Sequence, residues 1–421
     1  MSAGKTISEK ILSAKSATDA RAGDLVVAAV DAVLGTDASG PMAIDYFRQM
    51  GGEELFDPAR VIFALDHYAP APTAASAVLL DITRDFCRRT GALIYEVGEG
   101  IGHQLIVEKG HARPGGLVVG ADSHAVTYGA LNAFATGIGS SDLAAAMISG
   151  RIWLRVPESI RVSFSGALMP GVQAKDIALH LCGRLGADGA AYKALEFDGP
   201  GAAALDLEER LVVANMAVEM GAKNGIFATD AETEGYLAGR ADGPFDGVVA
   251  DADAVYVGEL ALALGALVPQ VARPHLVDNV VDITETLGQP VDMVYLGTCT
   301  GGRAGDFRQA RDVLKAGGGP ASGVRLVVTP ASASVERELT EDGTFADLQA
   351  MGAILQMPGC GSCCGTCGVG LGDGERVIST ANRNFKGRMG NPKAAIFLAS
   401  PLTCAASAVA GRIADPRQVS S

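Results

Sequence analysis

Cys299, Cys360 and Cys363 carry the most chemistry in this chain. Cys299 follows the apolar run 293–296 and stands in Gly-Thr-Cys-Thr-Gly-Gly-Arg, while Cys360 and Cys363 share Pro-Gly-Cys-Gly-Ser-Cys. Three thiolates on two loops can hold three irons of a cubane cluster and leave a fourth iron without a protein ligand. Clusters kept for electron transfer normally have four cysteine ligands. An iron with an open position is instead a Lewis acid that can bind a substrate oxygen. Taken alone, Cys-x-x-Cys also fits a structural zinc site completed by other cysteines, and Cys364 and Cys367 leave that reading open. Cys299 tilts the balance toward a cluster, because it too follows a strand and its small neighbours leave room for a bulky inorganic group.

Acid–base chemistry has its own candidates. Of six histidines, three sit in suggestive turns: His67 beside Asp66, His124 two residues after Asp122, and His103 in Gly-Ile-Gly-His-Gln. A carboxylate partner raises a histidine's pKa and fixes its tautomer, as general acid work requires. Asn215 and Glu219 are four apart on a helical stretch, 207–220, that stops at Gly221, so they share a face. Periodicity alone makes that face solvated. The segment Asn382-Arg383-Asn384-Phe385-Lys386-Gly387-Arg388 reads either as a charged surface loop or as a carboxylate clamp. Arginine's planar fork matches carboxylate oxygens, and its place shortly after the cysteine pair favours the clamp.

Elements must hold these groups together. The apolar runs 61–65, 117–121, 293–296, 354–357 and 376–379 each end shortly before a reactive cluster. Short β-rich runs alternate with Ala-rich helical stretches, which reads as α/β with largely parallel sheets. Such sheets bind ligands beyond the carboxyl ends of their strands, so five strand ends could converge on one site. Thr6-Ile-Ser-Glu9 is a capping-box pattern that starts a helix near Ile7. The 421 residues are too many for a single core, and the breaks fall near Val156 and Arg273, giving domains 1–155, 156–272 and 273–421.

Composition narrows the function classes. A net charge of −14 argues against nucleic acid or an anionic membrane as the main partner. No charge-free stretch of about 20 apolar residues predicts a membrane helix, and the first residues show no apolar signal region. A cytoplasmic protein is the expectation. Eight cysteines, four of them crowded at 360, 363, 364 and 367, suit metal or catalysis better than disulfides in a reducing compartment.

Together the motifs resemble the aconitase superfamily, and within it the large subunit of 3-isopropylmalate dehydratase and its relatives. They are Asp66-His-x-x-Pro70, Asp122-Ser-His124, Asn215-Met-Ala-Val-Glu219, Cys299-Thr, Pro-Gly-Cys360-x-x-Cys363 and Asn382-Arg-Asn-Phe-x-Gly-Arg388, in family order along the whole chain. The resemblance implies three α/β/α domains around a cleft with a [4Fe–4S] cluster on Cys299, Cys360 and Cys363. By the same resemblance His67, paired with Asp66, would protonate the leaving hydroxyl of a hydroxy-dicarboxylate substrate. His103 would pair with Asp122 and His124 with Glu219. Asn215 and Asn382 would lie beside the cluster, Arg383 and Arg388 would hold substrate carboxylates, and Ser123 would contact the substrate or its pocket.

Full-length aconitases continue beyond the counterpart of Arg388 into a swivelling domain that supplies a serine base, and in the two-chain relatives a small subunit supplies it. The resemblance therefore implies a separate small subunit. Members usually carry Asn after Cys-Thr, where this chain has Gly301, and Thr after Asp-Ser-His, where it has Ala125. These departures, with the extra thiols Cys364 and Cys367, suggest a divergent branch whose substrate could be that of homoaconitase, or 2,3-dimethylmalate or citramalate. Two non-enzymatic readings remain beside it, an RNA-binding regulator and a zinc-stabilised binding protein.

Overall fold

A computed structural model describes residues 4–241 and 243–418. Three sheets carry the fold. The first is all parallel, in the order Leu93–Tyr95, Val61–Ala64, Ala32–Thr36, Leu117–Gly120, Phe134–Gly137. The second, also parallel, runs Asn224–Phe227, Ala194–Asp198, Ser159–Ser165, Gly258–Ala263. The third has seven strands, with a parallel centre formed by Ala395–Leu398, Arg376–Ser379, Met293–Leu296, Arg325–Val328 and Ile354–Leu355. The strand Gln270–Ala272 joins its edge antiparallel. A two-stranded ribbon, Leu25–Ala29 with Arg151–Arg155, stands apart.

The apolar runs are strands because both of their faces are covered. Val61–Ala64, Leu117–Gly120 and Met293–Leu296 are buried at every position, as parallel strands between helical layers must be. The capping box at Thr6 and Glu9 is formed, and the helix it opens spans Ile7–Ser16. That helix does not float: its first N–H groups donate to the buried carboxylate of Glu196 in the second sheet. The stretch 207–220 differs from its sequence reading. The α-helix covers Leu207–Met216 only, and a tighter 3₁₀ turn, Ala217–Met220, follows. Tightening the last turn re-aims Glu219 inward.

The strand-end pattern places the chemistry as expected of an open parallel sheet. Asp66 and His67 follow Val61–Ala64, Asp122 to His124 follow Leu117–Gly120, Cys299 follows Met293–Leu296, Cys360 follows Ile354–Leu355, and Asn382 follows Arg376–Ser379. Backbone contacts bring the first and third sheets together there. Cys360 N donates to Asp66 O at 2.9 Å and Ile101 N to Ala331 O at 2.8 Å.

Candidate active site

Three carboxylates and three histidines form one connected array. His67 Nδ1 lies 2.6 Å from Asp66 Oδ1, and the other oxygen of Asp66 accepts the Gly102 N–H at 2.8 Å. His67 Nε2 is 3.5 Å from Asp122 Oδ2. Asp122 Oδ1 is 2.9 Å from His103 Nε2 and accepts the backbone N–H of His124 at 2.8 Å. His124 Nε2 then reaches Glu219 Oε1 at 2.8 Å. Burial and charge set the protonation. Burial works against a charged His67, but the negative charges of Cys360, once it is a thiolate, and of Asp66 outweigh it and hold the imidazole well above its ordinary pKa. Burial would likewise raise Asp122, yet His103, His124 and His67 hold it well below the carboxylate range. His124 and Arg383 do the same, more modestly, for Glu219.

The sulfurs lie against this array. Cys360 Sγ is 4.0 Å from His67 Nδ1. Asn215 Nδ2 donates to Cys299 Sγ at 3.1 Å, and Asn382 Nδ2 donates to the same sulfur at 3.3 Å. The other end of the Asn382 amide, Oδ1, lies 3.8 Å from Cys363 Sγ, where Arg388 Nη2 also points at 3.5 Å. Cys299 and Cys363 are buried, and Cys360 packs against the small apolar cluster formed by Ile101, Cys299 and Ala331. Gly361, at φ +53°, makes the tight turn between Cys360 and Cys363; a Cβ there would meet the Tyr295 hydroxyl at 2.6 Å. That hydroxyl in turn donates to Cys360 O at 3.0 Å.

This donor set fits a cysteine-bound iron–sulfur cluster. Three sulfurs on two loops converge, with two neutral amides and one guanidinium aimed at them, and hydrogen bonds of this kind to sulfur are how proteins tune such groups. Arg388 Nε is buried with no hydrogen-bond partner among the described residues, so the guanidinium keeps spare donor capacity. Cys364 Sγ lies 2.8 Å from Thr366 Oγ1, and Cys367 Sγ lies 3.3 Å from Gly361 O.

One placement corrects the reading from periodicity. Asn215 and Glu219 are buried, not solvated, because the Leu207–Met216 helix lies between layers. The 382–388 segment is buried at one end and exposed at Phe385: Asn382 and Asn384 are buried, and Arg383 Nε donates to both Glu219 oxygens at 2.8 and 3.0 Å. Ser123 borders a cavity of about 470 Å³ with Thr136, Asp142 and Trp153.

Two residues escaped the sequence reading. Asp37 accepts the backbone N–H of His67 at 3.0 Å and of Tyr68 at 2.7 Å, and burial with Asp66 nearby pushes it up to about 6. It follows the strand Ala32–Thr36, so the strand-end pattern could have found it. Tyr128, whose hydroxyl is 2.9 Å from His103 Nδ1, has no such signal. The departures are explained by packing. A Cβ at Gly301 would sit 2.3 Å from Thr380 Cβ, and Ala125 is fully buried against Gly120.

Known proteins resemble this chain over nearly its whole length. The profile of the aconitase family (aconitate hydratase) matches residues 9–411. A 3-isopropylmalate dehydratase large subunit of Archaeoglobus fulgidus is 50% identical over 417 residues, 99% of each chain. One from Syntrophus aciditrophicus is 46% identical over 419 residues, 99% of this chain and 100% of that one. A protein of Methanosarcina mazei named a probable methanogen homoaconitase large subunit is 45% identical over 395 residues, 94% of this chain and 100% of its own. Among solved structures, the holo-form of aconitase X from Thermococcus kodakaraensis shares the fold at a TM-score of 0.51 and 12% identity, covering 85% of this chain and 84% of that one. This chain belongs to the aconitase family.

Proposed function

We propose that this chain is the large, cluster-bearing subunit of a hydro-lyase of the 3-isopropylmalate dehydratase type, acting on a hydroxy-dicarboxylate in the cytoplasm. Membership of the aconitase family makes it a hydro-lyase that uses a [4Fe–4S] cluster. Cys299, Cys360 and Cys363 are the ligands in this reading, and the observation that carries it is that Cys299 and Cys363 meet at the two ends of the Asn382 amide while Cys360 packs against Cys299. Bound there, the cluster would supply one iron free of protein ligands as a Lewis acid toward a substrate hydroxyl.

The chain's own residues supply the rest. His67, kept charged by Asp66, is the proton donor to the departing hydroxyl, and Asp122 holds its Nε2 edge toward the cleft. His103 and His124 fix Asp122 and orient it. Glu219 pins both His124 and Arg383, so Arg383 presents its remaining N–H groups to a substrate carboxylate. Arg388, aimed past Cys363, is the second carboxylate ligand.

The domains 1–155, 156–272 and 273–421 surround this cleft in the same reading. The relatives' names call them large subunits, and we take a small subunit to complete this site with a swivelling domain. Among the described residues no helix is long and apolar enough to cross a membrane. A homoaconitase-type substrate is the second reading, favoured by the similarity to the Methanosarcina mazei protein. Anaerobic co-purification with the small subunit, followed by parallel assays on isopropylmalate, citramalate, dimethylmalate and homocitrate, decides between them. Turnover of one of the four only with both chains present supports the reading. High turnover by this chain alone would refute the two-chain site.

A further inference from the structure

Lys175 is buried to 1% exposure, yet it lies in the first turn of the helix Ala174–Leu185. Both placements are unfavourable. A buried ammonium loses its hydration, and a cation in the first turn opposes the helix dipole. Its contacts show what offsets that cost. Nζ donates to Thr300 Oγ1 at 3.0 Å, to Thr380 O at 3.1 Å and to Ala381 O at 2.8 Å, with Met216 Sδ at 3.7 Å. All four are neutral. No carboxylate holds this ammonium among the described residues.

The partners lie on two loops. Thr300 follows Cys299, and Ala381 precedes Asn382, the residue whose amide spans Cys299 and Cys363. The loops also touch each other, Thr300 Oγ1 to Thr380 O at 2.8 Å and Gly297 N to Thr380 Oγ1 at 2.9 Å. Lys175 reaches this junction from another sheet's helical layer. Its neighbour Asp176 accepts the N–H of Gln270, in an antiparallel strand of the third sheet, at 2.8 Å. The first turn of one helix thus ties down both the sheet and its two reactive loops.

We propose that Lys175 is a positioning residue for the cluster: it clamps the Cys299 and Asn382 loops at one spacing and sets a positive charge, held only by neutral groups, behind the Cys299 and Cys363 sulfurs. This rests on the cluster reading above. The charge offsets part of the negative charge that thiolate ligation brings, and net charge near a cluster sets its potential.

The test uses the full chain, purified anaerobically, as wild type, Lys175→Met, Lys175→Arg and Thr300→Val. Amide exchange is read on the iron-free chain; iron, sulfide and midpoint potential are read after reconstitution. In K175M, exchange in segments 297–300 and 380–382 is expected to rise about tenfold, the size of one charge-assisted hydrogen bond. Iron and sulfide loading falls, and the fraction that loads has a more negative potential. K175R keeps the wild-type potential. T300V speeds exchange in 297–300 without moving the potential, which separates the charge from the tether. K175M with unchanged exchange, loading and potential overturns the proposal. If K175M does not fold, unchanged exchange in T300V overturns it instead. A wild-type chain that takes up no iron sinks the cluster reading, while exchange still judges the clamp.

Discussion

His124 Nε2 lies 2.8 Å from Glu219 Oε1, and this contact joins the loop at the end of the first sheet to the turn that closes the Leu207–Met216 helix. The same carboxylate takes Arg383 Nε on both of its oxygens. One side chain therefore sets the position of a histidine in the acid–base array and of an arginine offered to substrate. Glu219→Gln keeps the shape and removes the charge. Its activity in the assembled two-chain complex is expected to fall about 10²-fold or more, with KM rising as Arg383 loses its anchor and cluster absorbance unchanged. Wild-type kcat and KM in that variant would remove Glu219 from the account.

His67 is the proposed proton donor. Removing it as His67→Ala leaves the sulfurs untouched, since its nearest approach to them is the 4.0 Å contact with Cys360. Visible absorbance of the cluster is expected to stay, while turnover drops by about 10²–10⁴-fold. Near-normal turnover would transfer the acid role elsewhere.

The thiols give cluster assembly a pH dependence of known sign. Burial pushes Cys299 up to about 12 and raises Cys360 and Cys363 as well. Before iron arrives all three hold their protons near neutrality, and ligation must displace them. Reconstitution followed by absorbance is thus expected to go further at about pH 8.5 than at about pH 6.5. Equal yields at both would mean that the thiols are already ionised.

Stability should respond to pH through Glu208, at the edge of a buried pocket that Arg303 also lines. Burial pushes Glu208 up to about 7 from an ordinary 4.5, against the pull of Arg303. The folded chain keeps a proton there that the unfolded chain releases. This contribution is fully present below 4.5 and is lost as pH rises through about 7. Glu208→Gln, neutral throughout, is expected to lose that dependence, so urea midpoints of mutant and parent diverge above neutrality in the mutant's favour. Parallel midpoints across the range would show that Glu208 is ionised when folded.

Much of the site was legible because parallel-sheet chemistry is local in sequence. A buried apolar run that ends in Asp-His, Asp-Ser-His or Gly-Thr-Cys marks a strand end and a reactive group together. What stayed hidden depends on a third dimension. Periodicity placed Asn215 and Glu219 on one face but could not say that the face was buried, since a helix between layers looks like a helix on a surface. Tyr128 and Lys175 act through partners far away in sequence, such as Thr300 and Ala381 for the lysine, and no local pattern announces such contacts. Asp37 was readable at a strand end, but it has no reactive neighbour to draw attention to it. The family resemblance named the cysteines and arginines; the geometry added that Arg383 is tethered to Glu219.

The central claim is that three particular sulfurs hold the metal group. Iron and acid-labile sulfide are to be measured on the anaerobically purified chain and on single serine variants of Cys299, Cys360, Cys363, Cys364 and Cys367. The account predicts about four irons and four sulfides per chain, lost on changing any of the first three and retained on changing Cys364 or Cys367. One zinc without sulfide, or loss of metal only when Cys364 or Cys367 is replaced, would contradict it.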